Sequence, residues 1–334
     1  MIKNNSKFMK NDKYSLKGKF KKALVTGGAG FVGSNLVESL LEDGLEVVSI
    51  DDYSAGKERN LHDLKEKYRD KLSAVNCDVT NKKELAKHFS DVDVVFHQAC
   101  SKMTICLKDP LRDLEVNAAG TFNLLELARD NKVKKFVHVS TGSVYGIAQY
   151  YPTDEKHPIN PTSYYGVSKL AGEKYVRAFA HLYNMDTSIL RYFHVYGPKQ
   201  DSGAYGGVIG IFCEKSIDNK DITIYGDGTQ IRSFTYVSDV VNINKLVALK
   251  GDKGEAYNCA SGLKVTINEI AEKITKLAGS TANINYEDWK AGDIKDFEVS
   301  HEKIKNLGFE FEYLDFDKGL KQTFDWYKKT SSMA

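Results

Sequence analysis

Tyr165 and Lys169 are the residues of this 334-residue chain whose types and spacing best fit proton-transfer chemistry. They lie four positions apart in the helical pattern Tyr164–Tyr183, so both side chains lie on one face of the predicted helix. A free phenol titrates near pH ~10, and a nearby ammonium group lowers that pKa. The pair is therefore predicted to act as a base that takes a proton from a hydroxyl group while hydride leaves the same carbon.

A run rich in hydroxyl groups precedes this helix. Ser140, Thr141 and Ser143 directly follow the apolar strand pattern at 136–139, and Thr141 is predicted to hydrogen-bond and orient the same substrate oxygen. Tyr–Lys pairs with the same spacing also occur at positions 53 and 57 and at positions 286 and 290. The pair at Tyr165 is distinguished by its place after this strand.

Three glycines, Gly27, Gly30 and Gly33, separate an apolar run ending at Thr26 from an amphipathic helical pattern. A strand that turns sharply into a helix leaves unpaired N–H groups at the helix start, and their partial positive charge attracts phosphate. Asp51 ends the next apolar run about 20 residues further on, where a carboxylate binds ribose hydroxyls. The pattern predicts a dinucleotide-binding site.

Composition narrows the class of protein. With 42% hydrophobic residues, 28% charged residues and a net charge of +2, the chain is typical of globular proteins, and it is not expected to bind nucleic acid or a membrane surface. No apolar run is long enough to span a membrane. The five cysteines have neither disulfide-framework nor zinc-site spacing, which favours the cytoplasm and predicts no metal site.

Alternating strand and helix patterns predict a doubly wound parallel α/β sheet of the Rossmann type with a smaller C-terminal substrate-binding domain. We expect a loosely packed, polar, lysine-rich tail over 1–20, a dinucleotide-binding domain over 21–195 and a mainly substrate-binding domain over 196–334. Residues 234–260 are expected to return to the first domain. Strands are predicted at 22–26, 46–50, 72–77, 92–97, 135–140 and 187–193, and helices at 81–89, 111–129 and 164–183.

The chain resembles the extended short-chain dehydrogenase/reductases, in particular the nucleotide-sugar epimerases and dehydratases that include the UDP-glucose 4-epimerases. The likeness covers nearly everything after Phe20. Besides the motifs above, it includes IDDYSAGK at 50–57, CDVT at 77–80, HQAC at 97–100, VNAAGT at 116–121, RYFHVYGP at 191–198 and GDGTQIR at 226–232. It implies a bound NAD and a homodimer formed through the predicted helices at 111–129 and 164–183. An acid at Asp51 disfavours the 2′-phosphate of NADP.

The resemblance also implies residue roles. Catalysis falls to Thr141, Tyr165 and Lys169. Cofactor contacts are implied at Gly27, Gly30, Phe31, Val32, Gly33, Asp51, Asp52, Asp78, Val79, Gln98, Ala99, Lys102, Asn117, Ser140, Tyr165, Lys169 and Tyr192, with Cys100 as a small packing residue near the nicotinamide. Substrate contacts are implied at Thr141, Ser143, His194, Val208, Arg232 and Lys290.

Members of this group share oxidation of the sugar at C4 and differ in the step that follows. Dehydratases resemble one another in carrying an Asp–Glu pair directly after the catalytic Thr, and decarboxylases usually keep the Glu. Here Gly142 and Ser143 take those places, and neither is a carboxylic acid. We therefore expect a 4-epimerase acting on a nucleotide-diphosphate sugar, with a UDP-sugar favoured. The alternatives are a 4,6-dehydratase, a decarboxylase or a 4-ketoreductase of the same family, and a non-catalytic NAD-binding sensor or scaffold.

Overall fold

The computed structural model describes residues 12–101, 106–203, 206–289 and 298–332. A seven-stranded parallel sheet forms its centre. Its strands are β1 (Lys22–Thr26), β2 (Glu46–Asp51), β3 (Leu72–Asn76), β4 (Val94–His97), β5 (Lys135–Thr141), β6 (Thr187–Tyr192) and β10 (Glu255–Cys259). In space they follow the order β3-β2-β1-β4-β5-β6-β10, so the chain winds outward from β1 in both directions.

Helices cover both faces of this sheet. They are α1 (Phe31–Glu42), α2 (His62–Lys67), α3 (Lys82–Leu85), α4 (Pro110–Leu114), α5 (Thr121–Asp130), α6 (Tyr164–Tyr183) and α8 (Val237–Lys250). In β1, Ala23 and Val25 belong to the apolar core against α1 and α8, whereas Leu24 belongs to the core against α5 and α6. Both faces of the strand are buried, which is why its sequence is continuously apolar and does not alternate with polar residues.

A smaller lobe is built from the C-terminal part of the chain. Its helices are α7 (Val208–Ile217), α9 (Ile267–Ala278) and α11 (Phe316–Ser331). The short helix α10 (Glu302–Asn306) packs instead against the central sheet, where Ile304 belongs to the core on the α1 side. The strands of the lobe are β7 (His194–Tyr196), β8 (Ile222–Tyr225), β9 (Ile231–Tyr236), β11 (Leu263–Thr266) and β12 (Ile284–Glu287). Strand β9 lies between β7 and β11, and an aromatic core of Tyr196, Phe234, Tyr236 and Phe316 packs beneath it.

The predicted doubly wound α/β fold is confirmed. Strand β1 and helix α6 have the predicted bounds, and β10 returns to the central sheet beside β6. The predicted helix at 111–129 is instead two α-helices, α4 and α5, joined by a π-helical turn at Glu115–Gly120, and the helix predicted at 81–89 shortens to α3 and a 3-10 turn. Across the described ranges, no helix is both long and apolar enough to cross a membrane.

The expectation of a loosely packed tail is wrong for residues 12–20. Tyr14, Leu16 and Phe20 are buried in the core on the α1 side of the sheet. The ring of Tyr14 stacks on Phe309 with centroids 5.1 Å apart, and the Leu16 N–H donates to Asp43 over 2.8 Å. These apolar residues are buried while the lysines between them face solvent. The expectation failed because it was based on the average polarity of the segment, which hides this alternation. Residues 1–11 lie outside the described ranges.

Leu16 provides a test of this packing. Because its side chain is fully buried, Leu16→Ala is expected to lower the free energy of unfolding by about 2–5 kcal/mol. The exposed Lys19→Ala in the same segment is expected to change it by less than about 0.5 kcal/mol. Urea unfolding followed by circular dichroism measures both, and equal, small effects would contradict the packing.

Two buried histidines lie side by side on neighbouring strands of the sheet. They are His97 of β4 and His138 of β5, which are paired in register. His97 bonds to the hydroxyls of Thr26 (2.7 Å) and Thr121 (2.9 Å), whereas both ring nitrogens of His138 lack a hydrogen-bond partner in the described part of the chain. Burial, together with the charge of Lys169, places the pKa of each ring well below its usual value. Both rings are therefore neutral at pH 7.

His138→Phe is expected to remove part of the acid sensitivity of the fold. Below pH ~6.5 the unfolded chain binds a proton at position 138 that the native state does not, so the wild type loses up to about 1.4 kcal/mol of stability per pH unit. The phenylalanine variant lacks this loss, so its stability relative to the wild type should rise as the pH falls from 7.5 to 5.5. Urea unfolding at several pH values measures the difference, and a difference independent of pH would contradict a buried, neutral His138.

Candidate active site

The predicted site residues converge at the carboxyl edge of the central sheet. The glycine loop follows β1, Asp51 ends β2, Cys100 follows β4 and Thr141 ends β5. Because all seven strands are parallel, these ends lie on one edge although the residues are far apart in the chain.

The glycine loop after β1 leaves no room for side chains. A Cβ atom at Gly27 would lie 2.8 Å from the Ala99 nitrogen, one at Gly28 would lie 2.2 Å from the Ser49 Oγ, and one at Gly33 would lie 2.0 Å from the Gly27 oxygen. Gly27 also has a φ of +65°, which favours glycine. Gly30 is the N-cap of helix α1 and offers no side chain to cap it, and Phe31 and Val32 begin its first turn. The N-terminus of α1 is thus open to a diphosphate.

Three predicted carboxylates lie beside this loop. Asp51 is buried and accepts hydrogen bonds from the N–H groups of Ala29 and Tyr53, both at 2.9 Å, and its burial raises its pKa. Asp52 and Asp78 share one partner, Arg112 of α4, at 3.2 and 2.6 Å. Although burial opposes it, hydrogen bonds from Thr80 and Arg112 hold the pKa of Asp78 below its usual value. Arg112 was not among the predicted site residues.

The catalytic candidates come together at the start of α6. Ser163 caps this helix by accepting from the Gly166 N–H over 3.1 Å, and the Tyr165 side chain interacts with those of Thr141 and Cys100. Thr141 Oγ1 in turn accepts from the N–H of Ser143 over 3.1 Å. The side chain of Lys169 is fully buried, and its Nζ has no hydrogen-bond partner in the described ranges.

The electrostatics of this cluster differ from the prediction. Burial, with a further contribution from Cys100, raises the pKa of Tyr165 well above its usual value, and burial lowers the pKa of Lys169. The expected depression of the phenol pKa is therefore absent from the protein alone. The phenol is therefore protonated at neutral pH in the protein alone.

A buried polar cluster missed by the sequence analysis supports α6 from below. Ser168 donates to Asp113 of α4 over 2.6 Å, and Asn117 Nδ2 donates to Asp113 and to Ser168, both at 3.0 Å. Asn117 Oδ1 accepts from the N–H of Ser101 over 3.0 Å, so this predicted cofactor ligand has protein partners for its side chain. The sequence did contain a signal for this cluster. Asp109 followed by Pro110 is a typical helix start, and in a helix that begins there Asp113 and Asn117, four positions apart, share one face.

A buried ion pair also holds α6 against the sheet. Arg191 of β6 donates through Nε and Nη2 to Glu173 at 2.9 and 2.8 Å, and through Nη1 to the Tyr145 hydroxyl at 2.8 Å. Tyr145 donates to Asn258 of β10 over 2.7 Å. Tyr145 ends the same short turn that carries Ser143, and Glu173 lies one turn after Lys169. The network thus connects both groups of catalytic candidates.

The remaining cofactor candidates occupy three places. Gln98 and Tyr192 hydrogen-bond to each other over 3.0 Å, and both bond to Asn244 of α8. Val79 is buried against Gly120, and the buried Ser140 Oγ has no hydrogen-bond partner within the described ranges. Lys102 lies outside those ranges.

Of the substrate candidates, His194, Val208 and Arg232 lie in the smaller lobe, whereas Thr141 and Ser143 lie at the end of β5. His194 of β7 is in register with Phe234 of β9, and Arg232 precedes Phe234 by two positions on the same strand. Burial and the charge of Arg232 lower the pKa of His194 to about 4, so its imidazole is neutral near pH 7. Val208 begins α7. Lys290 lies outside the described residues, and within them no three His, Cys, Asp or Glu side chains converge as metal ligands would.

The arrangement fits a dinucleotide. The glycine loop is a cradle that side chains would fill, and α1 presents uncapped N–H groups. Lys169 Nζ and Ser140 Oγ are buried polar atoms without a hydrogen-bond partner among the residues that the structure describes. Ribose hydroxyl and amide groups of a bound dinucleotide can satisfy such atoms.

Comparison with known proteins agrees with this geometry. Residues 23–260 match the NAD dependent epimerase/dehydratase family. A putative UDP-glucose 4-epimerase of Methanocaldococcus jannaschii is 37% identical over 311 residues, which cover 92% of this chain and 99% of the relative.

Solved structures show the same likeness. A UDP-glucose 4-epimerase of Thermotoga maritima with UDP-glucose is 34% identical, with a TM-score of 0.87 over 93% of this chain and 99% of its own. A UDP-glucose 4-epimerase of Thermus thermophilus in complex with NAD is 32% identical, with a TM-score of 0.83 over 92% of this chain and 99% of its own. This chain is an enzyme that uses NAD, and it belongs to the NAD-dependent epimerase/dehydratase family.

Proposed function

We propose that this enzyme is a 4-epimerase of a nucleotide-diphosphate sugar. The observation that carries the proposal is the meeting of Tyr165, Thr141 and Lys169 beside the glycine loop, with no carboxylic acid in the turn after Thr141. Such a site supplies a base and an orienting hydroxyl for oxidation at one carbon. The turn after Thr141 supplies no carboxylic acid that could serve as the second acid or base of an elimination.

The roles of the side chains follow from their positions. When bound, NAD supplies the acceptor for hydride from C4 and a positive charge. Thr141 orients the C4 hydroxyl, and Tyr165 removes its proton and later returns one to the same oxygen. The buried Lys169 ammonium donates to the ligand that fills the pocket and adds a positive charge on the Tyr165 face of α6. After the 4-keto sugar turns over, the reverse transfer produces the epimer without net oxidation.

The turn after Thr141 argues against dehydration. The ring of Phe193 lies 2.3 Å from the place where a Cβ atom of residue 142 would be, so a carboxylate side chain there requires the ring to move. Ser143 offers only a hydroxyl, 3.2 Å from Thr141 Oγ1. Loss of water from C5 and C6 therefore lacks its acid and its base at these positions.

We favour a UDP-sugar as the substrate because the relatives described above are UDP-glucose 4-epimerases. The guanidinium of Arg232 suits the diphosphate, and the neutral His194 imidazole beside it can donate a hydrogen bond without adding charge. Val208, Ser143 and Lys290 complete the proposed substrate contacts. The smaller lobe is proposed as the substrate-binding domain.

The five cysteines are free thiols, which suits the reducing cytoplasm that we propose as the location of the enzyme. With a net charge of +2, neither nucleic acid nor a membrane surface is a proposed partner.

Tyr165→Phe is the direct test of the chemistry. Loss of the phenolic proton carrier should reduce turnover by about 10²- to 10⁴-fold while leaving NAD bound, because the ring and fold are retained. The neighbouring Tyr164→Phe is the matched control, because Tyr164 lies on the outer face of α6 and phenylalanine keeps the apolar ring that the dimer proposed below would use. Incubation with UDP-, dTDP-, GDP- and CDP-sugars followed by NMR measures the formation of C4 epimers.

A stable 4-keto product in that experiment would identify a dehydratase or decarboxylase and contradict the epimerase proposal. Full turnover by the Tyr165→Phe variant would contradict the assigned base.

We further propose that the enzyme is a homodimer. Helix α6 carries a second apolar stripe on the face away from the core, formed by Tyr164, Val167, Tyr175 and Leu182, each between 43% and 67% exposed. Ala171 and Ala178 lie between them at helical spacing, so one continuous face is apolar. Exposed Leu111 and Leu114 of α4 extend the apolar surface. A second copy of the same helix pair covers such a surface symmetrically.

Leu182→Glu is expected to weaken this dimer, because it places a charge in the apolar interface. Sedimentation should shift from twice the chain mass of 37.4 kDa toward the single mass at micromolar concentration. Leu277→Glu introduces the same change at an exposed leucine of α9 and should leave the mass at twice that of the chain. A wild-type protein that sediments as a monomer would contradict the proposal.

A further inference from the structure

Cys100 lies at the centre of the active site and has no role in the proposed reaction. It follows Ala99, whose nitrogen lies 2.8 Å from the position of a Cβ on Gly27, and it precedes Ser101, which Asn117 holds at 3.0 Å. The backbone on both sides of the thiol is thus fixed against the glycine loop and the cluster beneath α6. The side chain between them interacts with that of Tyr165.

Cys100 differs from the other four cysteines in its exposure. It is exposed, whereas Cys77, Cys106, Cys213 and Cys259 are buried. Burial raises the thiol pKa of each of the other four, to about 11 at Cys77, and so suppresses the reactive thiolate form.

The surroundings of Cys100 are built to receive a ligand. The Lys169 side chain is 1% exposed, its Nζ lacks a hydrogen-bond partner in the described part of the chain, and it interacts electrostatically with Cys100. Tyr165 lies on the same face of α6, one turn earlier. A group attached to the Cys100 sulfur would therefore occupy space beside the phenol and the ammonium.

We propose that Cys100 is a modification site for small thiol-reactive compounds, and that its reaction and the binding of NAD exclude each other. With a maleimide, the sulfur forms a bond to one alkene carbon, the carbon–carbon π bond breaks, and the thiol proton ends on the other carbon. With a small disulfide, the sulfur displaces one half as a thiol and forms a mixed disulfide, which a dithiol reductant reverses. Both adducts block the pocket, and bound NAD covers the thiol.

The test is labelling of the intact protein with N-ethylmaleimide, at several measured levels of bound NAD, followed by intact-mass and peptide-mass analysis. We expect one fast-reacting thiol per chain, located at Cys100 and at least tenfold faster than the rest. Saturating NAD should slow this labelling at least tenfold, and labelled protein should lose at least tenfold in NAD affinity measured by calorimetry.

Cys100→Ala is the key variant and Cys213→Ala its matched control. The Cys100→Ala protein should lose the fast phase and keep its own initial activity during exposure to the reagent, whereas Cys213→Ala should behave as the wild type. A fast phase that persists in Cys100→Ala, or Cys100 labelling that leaves NAD affinity unchanged, would overturn the inference.

The activity readout of this inference rests on the proposed function, but labelling and NAD affinity need no sugar substrate. If no nucleotide sugar is epimerised while NAD still protects Cys100, the proposed function fails and the inference about the thiol stands. If a nucleotide sugar is epimerised and NAD does not protect Cys100, the proposed function stands and the inference about the thiol fails.

Discussion

The burial of the Lys169 ammonium is the constraint on which the site depends. A charged group inside a protein is costly unless it is paired, and the Nζ of Lys169 has no hydrogen-bond partner among the described side chains and backbone groups. Burial accordingly lowers its pKa, although the negative charges of Glu173 and Asp113 oppose this effect. A ligand that accepts hydrogen bonds from Lys169 relieves this cost, so the site is organised for a bound partner.

Burial also determines the protonation state of Tyr165. In the protein alone its pKa is raised well above the usual range, so it is an inert phenol and not a base. The contacts that fix α6 are important because a small shift of Tyr165 or Lys169 would change the pKa of both groups. The ion pair of Arg191 with Glu173 and the cluster around Asp113 fix α6 from two sides. These contacts hold Tyr165 and Lys169 in place on one face of α6.

Much of this arrangement was predictable from local patterns. Continuous apolar runs predicted the parallel sheet because both faces of strands such as β1 are buried. The residue types at or just after the ends of these runs predicted that Thr141, Asp51 and the glycine loop are site residues. The spacing of four positions predicted that Tyr165 and Lys169 lie on one face of α6. These signals lie within short stretches, or follow from the rule that parallel strands end at one edge.

Contacts between distant segments could not be predicted in this way. Arg112 joins Asp52 to Asp78, and Arg191 joins Glu173 to Tyr145, through side-chain directions that no local period encodes. Burial of Tyr14 and Leu16 depends on a surface contributed in part by the far end of the chain, near Phe309. The phenol pKa was expected to fall because the charge of Lys169 was considered without the desolvation that the fold imposes.

The central claim, that hydride leaves C4 and returns to it within one active site, is tested most directly by isotope retention. A UDP-sugar deuterated at C4 should yield an epimer that keeps its deuterium at C4 in ordinary water, because the same hydrogen is removed and returned. An epimer carrying solvent hydrogen at C4 would contradict the account.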